Sequence, residues 1–339
     1  MSAGVISLLL VQAAVMVGAD SARAKAAGTC SPTRTNEADV PEYYRLNADS
    51  FPWTREPFRG GNGLERFNVR FPSPVVTSTP ENNTVFGELF RPAGTKKVPC
   101  VIVLHIAGGD FPLARFMAST LANRGVAGLF IKLPYYGERR PVGNKIRLLS
   151  ADLERGLGGI RQAVLDMRRA CDWIATQPDL DADRCGVMGV SLGAIVGGLA
   201  SSIEPRLTHA CLIMGAAELE HILYESKERQ AKSLLQQWTQ WGGTKDMLKA
   251  ILKPIDVVTY SDRLCKRNVL MFSALNDETV PPRCGVALWN AAGKPRNVCY
   301  DCGHYTMAWR LPLVLKESTD FFVAWPSERL PNLTEEPKR

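Results

Sequence analysis

The residues best suited to chemistry in this sequence surround Ser191. Residues 189–193 read Gly-Val-Ser-Leu-Gly, the pattern G-x-S-x-G, with an apolar run before them and a small-residue, helix-compatible segment after them. Between a strand and a helix, this pattern predicts a sharp turn that lifts the serine hydroxyl out of the strand top. Glycines flank the serine because a Cβ there would collide with the neighbouring strand or helix. Ser191 is therefore the predicted nucleophile.

A serine nucleophile needs a base. The hydroxyl reacts poorly at neutral pH unless a base lies within hydrogen-bond reach and is itself oriented by an acid. The chain has four histidines. His209 lies inside a predicted strand and His221 inside a predicted lid, whereas His304 follows the last predicted strand, where a loop can place it above the sheet. We predict His304 as the base; the alternative is an ordinary surface histidine.

The acid is expected in the loop after the preceding strand. Asp277 lies in such a loop, and we predict it as the partner of His304. Glu278 and Asp301 are the alternatives, and any of these carboxylates could instead be a solvated loop charge. The order Ser191, Asp277, His304 along the chain is that of the α/β-hydrolase arrangement and differs from the orders of other serine-protease folds.

The oxyanion of a tetrahedral intermediate needs preorganised donors. One predicted donor is the backbone N–H of Leu192, the residue after the nucleophile. The second is expected from the loop after the strand 98–104, as the N–H of Ala107 or of Ile106. His105 opens this loop, and we interpret it as structural, with its ring bracing the loop.

Two tyrosines and two arginines follow the predicted strand 126–133. Tyr135, Tyr136, Arg139 and Arg140 are predicted to rim the mouth of the site. The arginines would there meet an anionic or polar part of the substrate.

These substrate-binding residues also have plainer interpretations. The arginines would instead pair with Glu138, with Asp110 or with a carboxylate of the lid. Trp238 is predicted to line an acyl pocket, although aromatic residues at helical spacing more often pack within a lid.

Alternating strands and helices must position these groups. Continuous apolar runs predict strands that are buried on both faces, and helical apolar spacing follows most of them. Repeated strand–helix units imply an α/β fold with a mostly parallel sheet and helices on both faces. The predicted strands are 64–71 and 84–90, which form an antiparallel hairpin at one sheet edge, and then 98–104, 126–133, 185–190, 208–214, 268–275 and 296–300.

The chain divides into three parts by pattern. Residues 1–27 are predicted to be a secretory signal, because the apolar run 5–18 is too short for a comfortable membrane span and a small-x-small site follows it. Residues 28–63 are interrupted by Pro and Gly and predict an irregular arm. Residues 64–339 predict one hydrolase domain, in which amphipathic helices within 216–264 form a lid insertion. We expect a periplasmic or secreted protein; otherwise it would be cytoplasmic.

Composition narrows the functional classes. The 339 residues carry a net charge of +7, and because basic and acidic residues interleave along the chain, the excess does not indicate nucleic-acid binding. Nine cysteines leave one or two disulfides open for an exported chain. Cys299 and Cys302 precede a loop rather than open a helix, which argues against a thioredoxin-type site. No second Cys/His pair has ligand spacing, so no metal is expected.

From about residue 64 onward the chain resembles the α/β-hydrolase superfamily. The motifs HIAGG, PYYGERRP, GVSLG, NDETVP and CGHY carry the resemblance. The segment DMRRACDWIATQPDLDADRCGVMGVSLGA is similar to the branch of dienelactone-hydrolase-like proteins, acetylxylan-type esterases and prolyl-oligopeptidase-like hydrolases. HIAGG departs from the commoner His-Gly opening, and PYYGERRP from a more usual Asp- and Gly-rich loop. The resemblance implies a Ser-Asp-His esterase with no metal or organic cofactor.

The sequence thus predicts a serine ester hydrolase that acts on a small or medium ester through an acyl-enzyme. A peptidase of the same fold is the first alternative. The residues before 98 leave no room for the large propeller that such relatives usually carry, which favours small acyl substrates. A non-catalytic binding protein of the same fold is the second alternative. The oligomeric state is not predicted.

Overall fold

A ten-stranded sheet forms the centre of the computed structural model, which describes residues 25–33, 37–61, 63–94, 97–109, 111–144, 146–149 and 152–325. The strands are β1 (Ala26–Cys30), β2 (Phe51–Gly61), β3 (Leu64–Pro72), β4 (Thr84–Pro92), β5 (Val98–Leu104), β6 (Ala127–Ile131), β7 (Leu180–Val190), β8 (Leu207–Ile213), β9 (Asn268–Ala274) and β10 (Arg296–Tyr300). They lie side by side in the order β1-β2-β3-β4-β6-β5-β7-β8-β9-β10.

The sheet has an antiparallel part and a parallel part. Strands β1 to β4 pair antiparallel, and β4 pairs antiparallel with β6. From β6 to β10 every neighbouring pair is parallel. All seven residues of β5 are buried, as expected for an apolar strand covered on both faces. The mostly parallel α/β sheet that the sequence predicted is confirmed.

Helices cover both faces of the parallel part. They are α1 (Phe111–Asn123), α2 (Leu153–Thr176), α3 (Leu192–Ile203), α4 (Leu219–Glu225), α5 (Arg229–Gln240), α6 (Lys245–Leu252), α7 (Ser261–Leu264), α8 (Pro282–Ala291) and α9 (Leu311–Ala324). Apolar residues of α2, α3 and α8 belong to one core cluster, and those of α1 and α9 belong to another. The two clusters correspond to the two faces of the sheet.

Parallel pairing fixes where the functional loops lie. The carboxyl ends of β5, β6, β7, β9 and β10 meet at one edge of the sheet because these strands run in the same direction. In open α/β sheets this edge is where ligands bind. The loops that follow the five strands contain every catalytic and oxyanion residue that the sequence predicted.

The irregular arm predicted over 28–63 is wrong at its two ends, which form strands. Strand β1 pairs antiparallel with β2, and β2 pairs with β3, so the arm extends the sheet by two strands. The predicted hairpin of β3 and β4 is confirmed, but it lies inside the sheet rather than at its edge. Pro52 and Pro57 within β2 concealed the strand, because prolines are tolerated only near sheet edges and at irregular positions.

The predicted signal lies mainly outside the described residues. Its last two residues, Ala26 and Ala27, are described and pair with Arg55 and Thr54 of β2. They therefore belong to the folded sheet, whereas the prediction assigned them to the signal. No helix among the described ranges is long and apolar enough to cross a bilayer.

The insertion predicted over 216–264 is helical, as expected. Helices α4, α5 and α6 correspond to the three predicted amphipathic helices, and α7 ends the segment before β9. Helix α5 buries none of its described side chains fully, whereas α4 and α6 each bury two residues. The inserted segment therefore lies at the surface.

Candidate active site

Ser191 occupies a strained turn between β7 and α3. Its backbone has φ of 52° and ψ of −115°, in the left-handed region that non-glycine residues rarely adopt. Its N–H donates to the carbonyl of Ile213 at 2.8 Å, which fixes the turn to β8. Strain of this kind persists only where the surrounding structure imposes it, and it clusters at functional sites. The predicted sharp turn between strand and helix is confirmed.

The glycines that flank the serine allow this turn to pack. A Cβ on Gly193 would lie 2.6 Å from the carbonyl oxygen of Leu104 and 2.9 Å from that of His105. A Cβ on Gly189 would collide with the backbone of Gly193. Both positions therefore exclude any side chain, and α3 packs tightly against the end of β5.

His304 and Asp277 form a buried pair at the same edge. His304 Nδ1 lies 2.7 Å from Asp277 Oδ2, and both side chains are buried. The other carboxylate oxygen, Oδ1, accepts the backbone N–H groups of Thr279 at 2.9 Å and Val280 at 2.7 Å. The acid is thus held by its own loop while it orients the imidazole.

The alternative acids have other partners. Asp301 accepts from the side-chain amide of Asn276 at 2.6 Å, and Glu278 lies against Gly303. Within the described chain, neither carboxylate contacts His304 through a hydrogen bond, and Ser191 Oγ makes none to the imidazole. Apo structures often lack this last contact, which tightens when substrate binds.

His105 is a structural residue, as the sequence suggested. Its Nε2 accepts the backbone N–H of Leu133 at 3.1 Å, so Nδ1 carries the proton and donates to the carbonyl of Ile106 at 2.8 Å. Burial lowers the pKa of this imidazole to about 4, which keeps it neutral. Both ring nitrogens are used to hold the loop after β5 against the loop after β6.

The loop predicted to hold the second oxyanion donor is fixed at two carbonyls. The carbonyl of Ile106 accepts from the His105 ring and from the N–H of Gly109 at 3.0 Å. The carbonyl of Ala107 accepts the hydroxyl of Tyr136 at 2.7 Å. Leu192 begins α3, where the first N–H groups have no partner within the helix. These bonds fix the orientation of the loop, and the predicted oxyanion donors in it stay a prediction.

Two of the predicted rim residues are tyrosines with other roles. Tyr135 and Tyr136 are both buried, and their contacts in the structure are packing contacts, so their predicted contact with substrate stays a prediction. Tyr135 donates its backbone N–H to Asn82 Oδ1 at 3.1 Å, and its ring packs in the core. Tyr136 packs edge-on against His105 with ring centroids 4.6 Å apart, and its hydroxyl reaches the oxyanion loop. Burial raises the pKa of Tyr136 to about 12.

Arg139 is fully buried and is not a rim residue. Its guanidinium pairs with Asp166 of α2 at 2.7 Å and donates to the carbonyls of Lys132 and Asn82 at 3.0 and 2.9 Å. The prediction that it contacts substrate is wrong, because a buried charge with these partners has no access to a ligand. Arg140 is half-buried and has no carboxylate partner among the described residues, so its predicted contact with substrate stays a prediction.

Trp238 packs within the inserted helices. Its indole N–H donates to the carbonyl of Thr244 at 3.0 Å, and its ring covers Gly243. These contacts join the end of α5 to the start of α6. The plainer interpretation, packing within the lid, therefore accounts for this residue, and its prediction as an acyl-pocket residue is corrected.

Glu228 was not identified from the sequence, although it joins the insertion to the site. One of its carboxylate oxygens accepts the hydroxyls of Thr279 at 3.1 Å and Tyr305 at 2.7 Å. These two residues lie in the loops of Asp277 and His304 respectively. The segment between α4 and α5 therefore contacts both loops, as a lid over the carboxyl ends of the strands requires.

Comparison with known proteins bears on the fold. A model of the prolyl oligopeptidase family matches residues 161–301, and a model described as alpha/beta hydrolase domain containing 18 matches residues 67–222. Two curated relatives from Mycobacterium tuberculosis, each described as an uncharacterized protein, are 27% identical over 229 residues. The match covers 66% of this chain, which spans about half the length of these relatives (53%).

Solved structures share the fold. An acetyl xylan esterase from Thermoanaerobacterium sp. JW/SL YS485 aligns with a TM-score of 0.65 at 18% identity, over 86% of this chain and 95% of that chain. One from Paenibacillus sp. R4 aligns with a TM-score of 0.60 at 17% identity, over 77% and 87%. The Pyrococcus furiosus esterase Pf2001 aligns with a TM-score of 0.54 at 17% identity, over 77% and 93%. The chain has the α/β-hydrolase fold, and its resemblance to that superfamily is confirmed.

Proposed function

We propose that the protein is a serine esterase that hydrolyses a carboxylic ester of a small or medium substrate through an acyl-enzyme. Ser191 attacks the carbonyl carbon, and His304 accepts the hydroxyl proton and returns it to the leaving alcohol. Asp277 stabilises the imidazolium. The N–H of Leu192, with that of Ala107 or Ile106, binds the oxyanion. Water then releases the acid from Ser191 by the same proton transfers.

One observation carries this proposal. The buried His304–Asp277 pair, 2.7 Å apart, lies at the sheet edge where Ser191 occupies a strained turn. A carboxylate that orients a histidine at the same sheet edge as a serine in a strained turn is an arrangement that can activate a hydroxyl. The esterases with the same fold support the ester as the substrate class.

A substrate panel tests the reaction. We expect the wild-type protein to hydrolyse at least one of an acetyl, a longer acyl, a sugar and a lactone ester. Ser191→Ala should lose this activity, whereas Ser202→Ala, a buried serine at the far end of α3, should keep it. Equal activity of the wild type and Ser191→Ala would refute the proposal.

A peptidase remains the second candidate, because the prolyl oligopeptidase family matches residues 161–301. Cleavage of short peptides faster than of every ester in the panel would favour it. We also propose export of the protein on the basis of the predicted signal. N-terminal sequencing of the mature protein tests this, and retention of Met1 would contradict it.

A further inference from the structure

A cavity of about 140 Å³ lies beside the candidate triad and is not explained by the proposed hydrolysis. It lies between α8 and the sheet at β9 and β10. Asp277 lines it, whereas Ser191 and His304 do not. The cavity and the triad therefore share one wall, the loop that holds the acid.

The walls of the cavity combine apolar surface with a few polar side chains. Apolar side chains from β8, the Asp277 loop and α8 line it, among them Met214, Val280 and Trp289. Ser273 of β9 and Asn297 of β10 are also lining residues, and the serine hydroxyl donates to the asparagine side-chain oxygen at 3.0 Å. The amide N–H groups of Asn297 and the oxygen of Ser273 remain available to a ligand.

A glycine keeps this space open. Gly285 lies inside α8 and lines the cavity. A Cβ there would lie 3.8 Å from the carbonyl oxygen of Gly215 and 3.9 Å from Ser273 Oγ, which is ordinary van der Waals contact. Alanine therefore fits, and glycine within a helix is less favourable than alanine. Packing does not require this glycine, and its lack of a side chain leaves more of the cavity open.

We propose that this cavity is a second ligand site, which binds a neutral molecule about the size of one aromatic ring that carries one hydrogen-bonding group. A cavity of roughly 150 Å³ can hold a benzene ring. The hydrogen-bonding group meets Ser273 and Asn297. No lysine or arginine lines the described cavity and the Asp277 carboxylate does, so an anionic ligand is disfavoured.

Fluorine NMR titration of the full chain tests the site with 4-fluorophenol as the probe. We expect a dissociation constant on the order of 1 mM. Ser191→Ala should bind equally, because the nucleophile does not line the cavity. Gly285→Val, which fills the space, should weaken binding at least tenfold. Gly158→Val in α2 is the matched control, since a Cβ at Gly158 meets nothing within 4 Å and binding should be unchanged.

The ligand chemistry is tested with two analogues of the probe. 4-Fluorotoluene, which lacks the hydroxyl, should bind several-fold more weakly, and 4-fluorobenzoate should not bind. If Gly285→Val destabilises the protein, Gly285→Ala replaces it, with a raised Tm and severalfold weaker binding as the expected result. Binding of 4-fluorophenol to Gly285→Val as tightly as to the wild type, or equal binding of the benzoate, would overturn the proposal.

Discussion

Two histidines follow strands at the same edge of the sheet, yet their surroundings differ completely. His105 after β5 donates and accepts only with backbone groups and is packed among aromatic rings. His304 after β10 uses one nitrogen for a carboxylate, Asp277. The first ring can only hold two loops together, whereas the second retains a nitrogen for a proton. Position at the strand ends is thus not sufficient for catalysis, and the partners of the ring decide its role.

Removal of His304 should give the largest effect on activity. We expect His304→Ala to lower kcat by roughly 10⁴-fold or more, because the base is lost, with little change in the unfolding midpoint. His221→Ala, in the inserted helix α4, is the control and should change kcat by only a few-fold. Steady-state ester hydrolysis and urea unfolding measure the two quantities. Retention of most activity in His304→Ala would show that another group is the base.

Removal of His105 should mainly lower the stability of the fold. His105→Ala removes a ring that packs against Phe111 and Tyr136 and leaves the buried N–H of Leu133 without a partner. We expect a loss of about 3 kcal/mol in the free energy of unfolding. Urea unfolding checks this. A variant as stable as the wild type but inactive would instead assign His105 to the chemistry.

Acid should reveal which histidines are held neutral by burial, without any mutation at the site. Burial lowers the pKa of both His105 and His209 to about 4, so the unfolded chain binds more protons than the folded chain as pH falls below 6.5. Stability is therefore full above pH 6.5 and declines toward pH 4. Each ring should contribute about 2 kcal/mol to the loss between pH 7 and pH 5.

His209→Asn isolates one of these two contributions. Its free energy of unfolding should fall by about 2 kcal/mol less than that of the wild type over the same pH interval. Urea unfolding at both pH values gives the difference. Identical pH dependence in the two proteins would show that His209 titrates normally in the folded state.

The smallest expected effect concerns Tyr136. Loss of its hydroxyl in Tyr136→Phe frees the carbonyl of Ala107 but keeps the ring packed on His105. We expect a roughly tenfold lower kcat with little change in KM, since one hydrogen bond that orients the oxyanion loop is lost. Tyr135→Phe is the matched control. An unchanged kcat in Tyr136→Phe would show that the Tyr136 hydroxyl does not contribute to catalysis.

The sequence predicted the loops of the candidate site because short local sequence patterns mark them. Ser191 has its own turn pattern, Asp277 follows the apolar run of β9, and His304 follows the shorter predicted strand 296–300. The parallel order of those strands then brings the loops together. The predicted loop role of His105 is confirmed for the same reason, since it directly follows the fully buried strand β5.

The failed predictions concern partners that are distant along the chain. From its position after a strand, Arg139 was expected at the surface. In the structure it is buried and pairs with Asp166 of α2. Strands β1 and β2 were missed because their pairing depends on β3 rather than on their own pattern. The cavity at Gly285 was missed for a related reason, because α8 and β10 meet only in the fold. Long-range contacts of this kind leave no local signal.

The most direct test of the account is the reaction of the protein with a fluorophosphonate, followed by mass spectrometry of the labelled peptide. We predict a single adduct on Ser191, and at least hundredfold slower labelling of His304→Ala and Asp277→Asn. An adduct on a different serine, or equal labelling of Ser191→Ala, would contradict the claim that Ser191, His304 and Asp277 form one catalytic site.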